Sequence, residues 1–182
     1  MERRTRRLFL AAGVVVLLFY LALSWYRYHY SMAEVEGFEV NPPELEQRVL
    51  IATQGSRFKE SVVDALVAQL GERPIHIKVI DISLLGGVEE QEWTALVLLH
   101  TWETWAPPLA VKRFVRALDA PEKVVVVSTS GSGEAQMEGV DAITSSSTMA
   151  EVPAAVSAVM ARLEPMLRQA QSDRVDTDRP AE

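Results

Sequence analysis

The feature that most constrains this chain is the run Leu8–Trp25, LFLAAGVVVLLFYLALSW, after which no charge appears before Arg27. Eighteen or nineteen uncharged residues in a helix span about 27–28 Å, close to the hydrocarbon thickness of a bilayer. Trp25, Tyr26, Tyr28 and Tyr30 gather at one end, where amphipathic rings favour the headgroup region. A cleaved signal peptide would carry a shorter apolar region ending in small residues; here bulky Trp-Tyr-Arg-Tyr follows. The expectation is an uncleaved transmembrane anchor over residues 8–26, with the membrane as first partner. Arg3, Arg4, Arg6 and Arg7 precede the run and only Arg27 follows closely. The positive-inside rule then places residues 1–7 in the cytoplasm and the rest of this single-pass cell-membrane protein on the far side.

The formal charge of −7 is unevenly spread. Five of the 18 basic residues flank the run, which leaves 13 basic against 24 acidic residues from Tyr28 onward. A nucleic-acid partner is excluded on that balance, because phosphate neutralisation needs a basic face. The chain has no cysteine, so disulfides, thiolate metal sites and cysteine nucleophiles are excluded. With His29, His76 and His100 scattered along the chain, neither a hydrolytic triad nor a transition-metal site is expected. His100 alone falls at a candidate site edge, where a structural hydrogen-bonding role is expected.

Residues 27–47 are acidic and broken by Asn41-Pro42-Pro43, the composition of a tether. Residues 170–182 are polar and read as a disordered tail. Between them lies one domain, residues 48–169, in which short apolar runs alternate with amphipathic helices. Strands are expected at Val49–Ala52, Ile75–Ile82, Ala95–Leu99, Val124–Val127 and Val140–Ile143, and helices at Lys59–Leu70, Pro107–Leu118 and Ala150–Leu167. The run Glu89–Glu92 reads as a solvated helix face. Uniformly apolar strands alternating with helices predict an α/β fold, a three-layer doubly wound sheet of five parallel strands. Ligands in such sheets sit beyond the carboxyl ends of the strands, which directs attention to four loops.

Thr53-Gln54-Gly55-Ser56-Arg57-Phe58 leads from the first strand into a helix, where hydroxyls and backbone N–H groups can hold a phosphate. Arg57 and Lys59 could add charge; equally, Ser56 could simply cap the helix. His100-Thr101-Trp102-Glu103-Thr104-Trp105 holds half the tryptophans of the chain. An indole there can stack on a flat cofactor or pack on the domain edge. Ser128-Thr129-Ser130-Gly131-Ser132-Gly133 is a small polar loop able to bring backbone amides to a ring edge. It leaves too few residues before Asp141 for more than about a turn of helix.

These loops and their order resemble the flavodoxin family over about Arg48–Leu167. The resemblance implies a flavodoxin-like fold and FMN bound by Thr53, Gly55, Ser56, Arg57, Thr101, Trp102, Ser130, Gly131 and Ser132. It points to a redox carrier that exchanges electrons with a membrane partner rather than to a catalytic enzyme. The phosphate loop departs from the family pattern, with Gly55 and Ser56 where Thr and Gly are usual and Phe58 in place of the last Thr. A cofactor-free interaction or assembly module at the membrane is the alternative. In addition, Asp141–Thr148 is similar to the flavinylation motif of extracytoplasmic FMN-binding domains. That likeness implies covalent FMN at Ser147, against the plainer reading of a hydroxyl-rich turn into the last helix.

Overall fold

The computed structural model describes residues 2–30, 34–103, 105–137 and 139–177, and divides into two units, Met1–Met32 and Ala33–Glu182. The first unit is one continuous helix, α1 (Glu2–Tyr30). Its described apolar side chains, Val14 to Leu18 and Phe19 among them, are exposed. Consecutive positions such as these cover every side of a helix. Within the run, the side chains of Leu8, Ala11 and Ser24 lie outside the described set. Among the described residues no helix is long and apolar enough to cross a membrane, so they lend the transmembrane reading no support.

The second unit is a three-layer α/β domain built on strands β1 (Phe38–Val40), β2 (Gln47–Thr53), β3 (Ile75–Asp81), β4 (Ala95–Thr101), β5 (Val124–Thr129) and β6 (Asp141–Ser145). Its helices are α2 (Arg57–Gly71), α3 (Leu109–Arg116) and α4 (Val152–Thr177). The sheet order is β1-β3-β2-β4-β5-β6, parallel throughout except for β1. Leaving β1 aside, this is the 2-1-3-4-5 order of the flavodoxin-like doubly wound sheet. Alternation along the central strands divides the core. Val49, Ile51, Val97, Leu99, Val125 and Val127 face α2 and α4, meeting Val62, Leu66, Val159 and Leu163. Leu50, Ala52, Leu96, Leu98, Val124 and Val126 face the opposite layer, meeting Leu85, Trp93, Val111 and Met137.

Four expectations need correction. The sheet has six strands, not five, because Phe38–Val40, within the stretch read as a tether, pairs antiparallel with β3. Gly37 permits the approach, since a Cβ there would lie 2.9 Å from the Val79 carbonyl oxygen. Asn41 then leaves the strand at φ 64°, a left-handed conformation that Asn tolerates. Its side-chain amide donates to the carbonyls of Gly71, Arg73 and Ile75 at 2.9–3.2 Å. Hydrophobic patterning is blind to this anchoring, which satisfies the α2–β3 turn from a distant part of the chain.

The other corrections concern Glu90, the polar C-terminal stretch and His100, the last taken up with the site. Glu90 is no solvated residue: it is buried in a short 3-10 turn, and its carboxylate accepts from the backbone N–H groups of Asp119 and Ala120. Helix α4 continues through the polar stretch to Thr177; residues 178–182, and Ser31–Ala33 of the tether, lie outside the described residues. The short β5–β6 connection does lack a helix among its described residues. Among the described residues, that side of the sheet is covered by α3, the 3-10 turns, Trp93 and Met137.

Replacing Asn41 by Ala should lower stability by about 1–3 kcal/mol, the range for stranding buried partners of a lost hydrogen-bonding group, read as a lower urea midpoint. Asn41→Gly accepts the backbone angle but lacks the amide, and should lose nearly as much. A loss in Asn41→Gly below about 0.5 kcal/mol would assign the effect to backbone strain instead.

Candidate functional site

The switch point of the sheet lies between β2 and β4, whose connections run to opposite sides, and there their carboxyl ends open toward the start of α2. Alternation sends the side chains of Thr53, Thr101 and Thr129 toward the α2 side, and those of His100 and Ser128 to the opposite side. Ser56 caps α2, its Oγ accepting from the Lys59 N–H at 3.3 Å.

Lys59 is the unexpected centre of the site. Its place among Phe58, Val62, Val63 and Leu66 on the buried side of α2 leaves it only 1% exposed. The ammonium donates to Thr101 Oγ1 at 2.7 Å and to Ser56 Oγ at 3.3 Å. Thr129 Oγ1 donates its one hydrogen to the His100 carbonyl at 3.2 Å. The 2.8 Å contact between the two threonine hydroxyls must therefore run from Thr101 to Thr129. A directed chain results, from Lys59 through Thr101 and Thr129 to the backbone. Lys59 has no carboxylate within ion-pair distance among the described residues, and one of its three N–H donors has no partner there. Burial lowers its pKa to about 8, with the charge of Glu103 acting weakly against the shift. The sequence did carry a signal: spacing puts Lys59 on the same helical face as Val62, Val63 and Leu66.

Gln54 braces the second loop. Its Oε1 accepts from Thr101 N at 2.8 Å and its Nε2 donates to Glu103 Oε1 at 2.9 Å. Trp102, half-buried, donates from Nε1 to Ser128 Oγ at 2.6 Å, and its backbone N–H reaches the Thr129 carbonyl. Thr104 lies outside the described residues. Ser130 N–H donates to the Ser145 carbonyl, which ties the third loop to the end of β6. Gly131 and Ser132 are exposed, and a Cβ on Gly131 would meet nothing within 4 Å.

Ser56, Thr101 and Lys59 are thus brought together, with Trp102 following directly and Ser130–Ser132 one strand further along the edge. Thr53 is buried and its hydroxyl turns onto the Gln54 carbonyl, Gly55 is buried, and Arg57 points to solvent at the first residue of α2. His100 is fully buried, and neither ring nitrogen has a hydrogen-bond partner among the described residues, so the expected structural hydrogen bond is not found there. Burial holds its pKa down at about 4; the Thr101 backbone opposes this slightly, and Lys59 adds to it. In the flavinylation-like segment, Ser145 and Ser146 direct their hydroxyls to Glu151, which holds that carboxyl down at about 2. Ser147 follows at φ 63°, its N–H on Ser145 Oγ.

The charge on Lys59 makes a measurable demand on the fold. Below pH 8 the lysine is charged in both folded and unfolded chains and the burial penalty is complete. Between pH 8 and its ordinary 10.5, only the unfolded chain binds the proton, so stability rises with pH. The expected gain is roughly 3 kcal/mol, seen in melts across that window, and absent from Lys59→Met.

No family model matches the chain, and no curated protein does. Among solved structures, oxidised flavodoxin 2 from Bacillus cereus is similar at 15% identity, covering 65% of this chain and 99% of that one, with a TM-score of 0.43. An NADPH-quinone reductase from P. pentosaceus is similar at 12% identity, covering 68% and 78%, with a TM-score of 0.31. By its strand order the chain has a flavodoxin-like α/β fold.

Proposed function

We propose that this chain is a membrane-anchored flavodoxin-like electron carrier that binds FMN noncovalently at the carboxyl ends of β2 and β4. One observation carries the reading: a fully buried ammonium without a carboxylate partner among the described residues sits at the mouth of the switch point. Buried charges need compensation, and a phosphate is the anion that this position suits. Lys59, the Ser56 hydroxyl and the first amides of α2 would hold the phosphate. Trp102 and the amides of Ser130–Ser132 would hold the ring. FMN, when bound, supplies one- and two-electron chemistry. The protein's part is to neutralise the phosphate, place the ring at the domain edge and keep Trp102 oriented through Ser128.

A second reading has its own observation. The Lys59 ammonium already donates to two hydroxyls, the arrangement expected of a domain that fills its phosphate position with a side chain and acts without cofactor as an assembly module. The spectrum of the purified full-length protein separates these. A yellow supernatant after acid precipitation supports noncovalent FMN, and a yellow pellet supports attachment at Ser147. No colour even with added FMN sinks both flavin readings. In Lys59→Met, FMN affinity should fall at least tenfold while riboflavin affinity holds; an equal fall for both would remove Lys59 from the phosphate site.

Anchoring is supported by the sequence alone, through the uncharged run Leu8–Trp25 and its terminal aromatic cluster. It places the domain outside the cytoplasm by the arginine asymmetry. A reporter fused after Glu182 tests this topology. Activity of an export-dependent reporter is expected, and cytoplasmic reporter activity would reverse the orientation.

A further inference from the structure

On the thinly covered side of the sheet, α3 and the 3-10 turn Ile82–Gly87 form the two walls of a groove of about 520 Å³. Ser83, Leu85 and Val88 line one side; Ala110, Arg113 and Phe114 line the other. Large apolar side chains are exposed on the segments that form these walls and on the loop leading into α3. Leu84 is 59% exposed, Leu109 at the start of α3 is 61% exposed, and Trp105, four residues earlier, is 94% exposed. Trp105 is also held at φ 68°, an uncommon conformation for so bulky a residue. Paired backbone hydrogen bonds between Glu103 and Ala106 close the turn that presents it. An indole kept in water at a cost in backbone strain marks a functional surface.

The charges at this face run against the rest of the domain. Helix α3 contains Lys112, Arg113 and Arg116 and no acidic residue, whereas from Tyr28 onward acids outnumber bases by 24 to 13. None of the three makes an ion pair among the described residues. Glu89 and Glu90 line the groove and Asp119 follows the helix; the Glu90 carboxylate is taken up by the Asp119 and Ala120 N–H groups, and Glu103 is engaged by Gln54. The chain also enters the domain at the carboxyl edge of the sheet, where Val35 N–H donates to Asp81 Oδ2. Val35 is ten residues after Trp25, the end of the apolar run, so a bilayer holding that run lies within reach of this edge.

We propose that the face formed by Trp105, Leu109, Leu84 and the basic side of α3 docks on an anionic lipid surface. The proposal rests on the anchor reading given above. Trp and Leu enter the headgroup boundary while Lys112, Arg113 and Arg116 meet lipid phosphates and carboxylates, the division of labour of an interfacial amphipathic helix. Docking holds the carboxyl ends of the strands, and the site they carry, toward the membrane.

The absence of cysteine makes the test direct. A polarity-sensitive dye is placed on Leu109→Cys, and as a control on Asp64→Cys, which is exposed on α2. The full chain is reconstituted into phosphatidylcholine vesicles with or without phosphatidylserine. The dye at 109 should shift to the blue and be quenched by brominated lipid in the anionic vesicles, while the dye at 64 stays water-like. The shift should vanish in about 1 M salt, where the screening length is about 3 Å. Reversing Lys112, Arg113 and Arg116 to Glu should lower the docked fraction by at least roughly fivefold per residue. A shift insensitive to lipid charge, or one that follows protein density as self-association would, overturns the proposal. A chain that alkaline carbonate strips from vesicles overturns the anchor and the docking together. A chain that stays embedded with a water-exposed dye at 109 overturns the docking alone.

Discussion

Everything in the domain follows from strands that must be buried on both faces. Leu50–Ala52, Leu96–Leu99 and Val124–Val127 have no polar side to offer water, so a sheet built from them needs a layer above and a layer below. The two layers are unequal. Helices α2 and α4 supply long apolar stripes to one face. The other receives an eight-residue helix, two 3-10 turns and a methionine from the β5–β6 loop. Thin cover is what leaves a groove beside α3 and keeps Leu84 and Leu109 in contact with solvent.

The same sheet explains why the site is polar where the core is not. Side chains two residues past Leu99 and Val127, the last apolar positions, still point toward the helical layer, but they lie at its open end. Thr101 and Thr129 occupy those positions, and α2 begins beside them with Lys59 turned inward. A buried lysine is a costly choice, and its lowered pKa expresses that cost. It is bearable because hydroxyls solvate the ammonium, and an anion at the same place would relieve it further. The flavin reading and the cofactor-free reading differ only in whether those hydroxyls are sufficient.

The acidic stretch before the domain has a double role. Its Phe38–Val40 segment closes one edge of the sheet, and Asn41 locks the α2–β3 turn. Edge strands left open invite pairing with other chains. An antiparallel strand with a Lys78–Glu39 ion pair at 2.9 Å across it covers the β3 edge with a short, charged rim.

The sequence by itself determined the α/β class, the parallel central strands, the shortened β5–β6 connection and the uncharged helical run, because each is written in local periodicity and composition. Element positions were legible to within a few residues for the same reason. It also pointed to the loops that converge, since strand ends in a parallel sheet share one edge. Only the tertiary structure decided the sixth strand, which depends on Gly37 meeting Val79 some forty residues away. It likewise decided the burial of Glu90 by backbone N–H groups from Asp119 and Ala120, and the role of Lys59. A lysine on an apolar face can reach out to solvent or turn inward. Which it does depends on whether hydroxyls from another strand wait to receive it, and that is a matter of packing rather than of pattern.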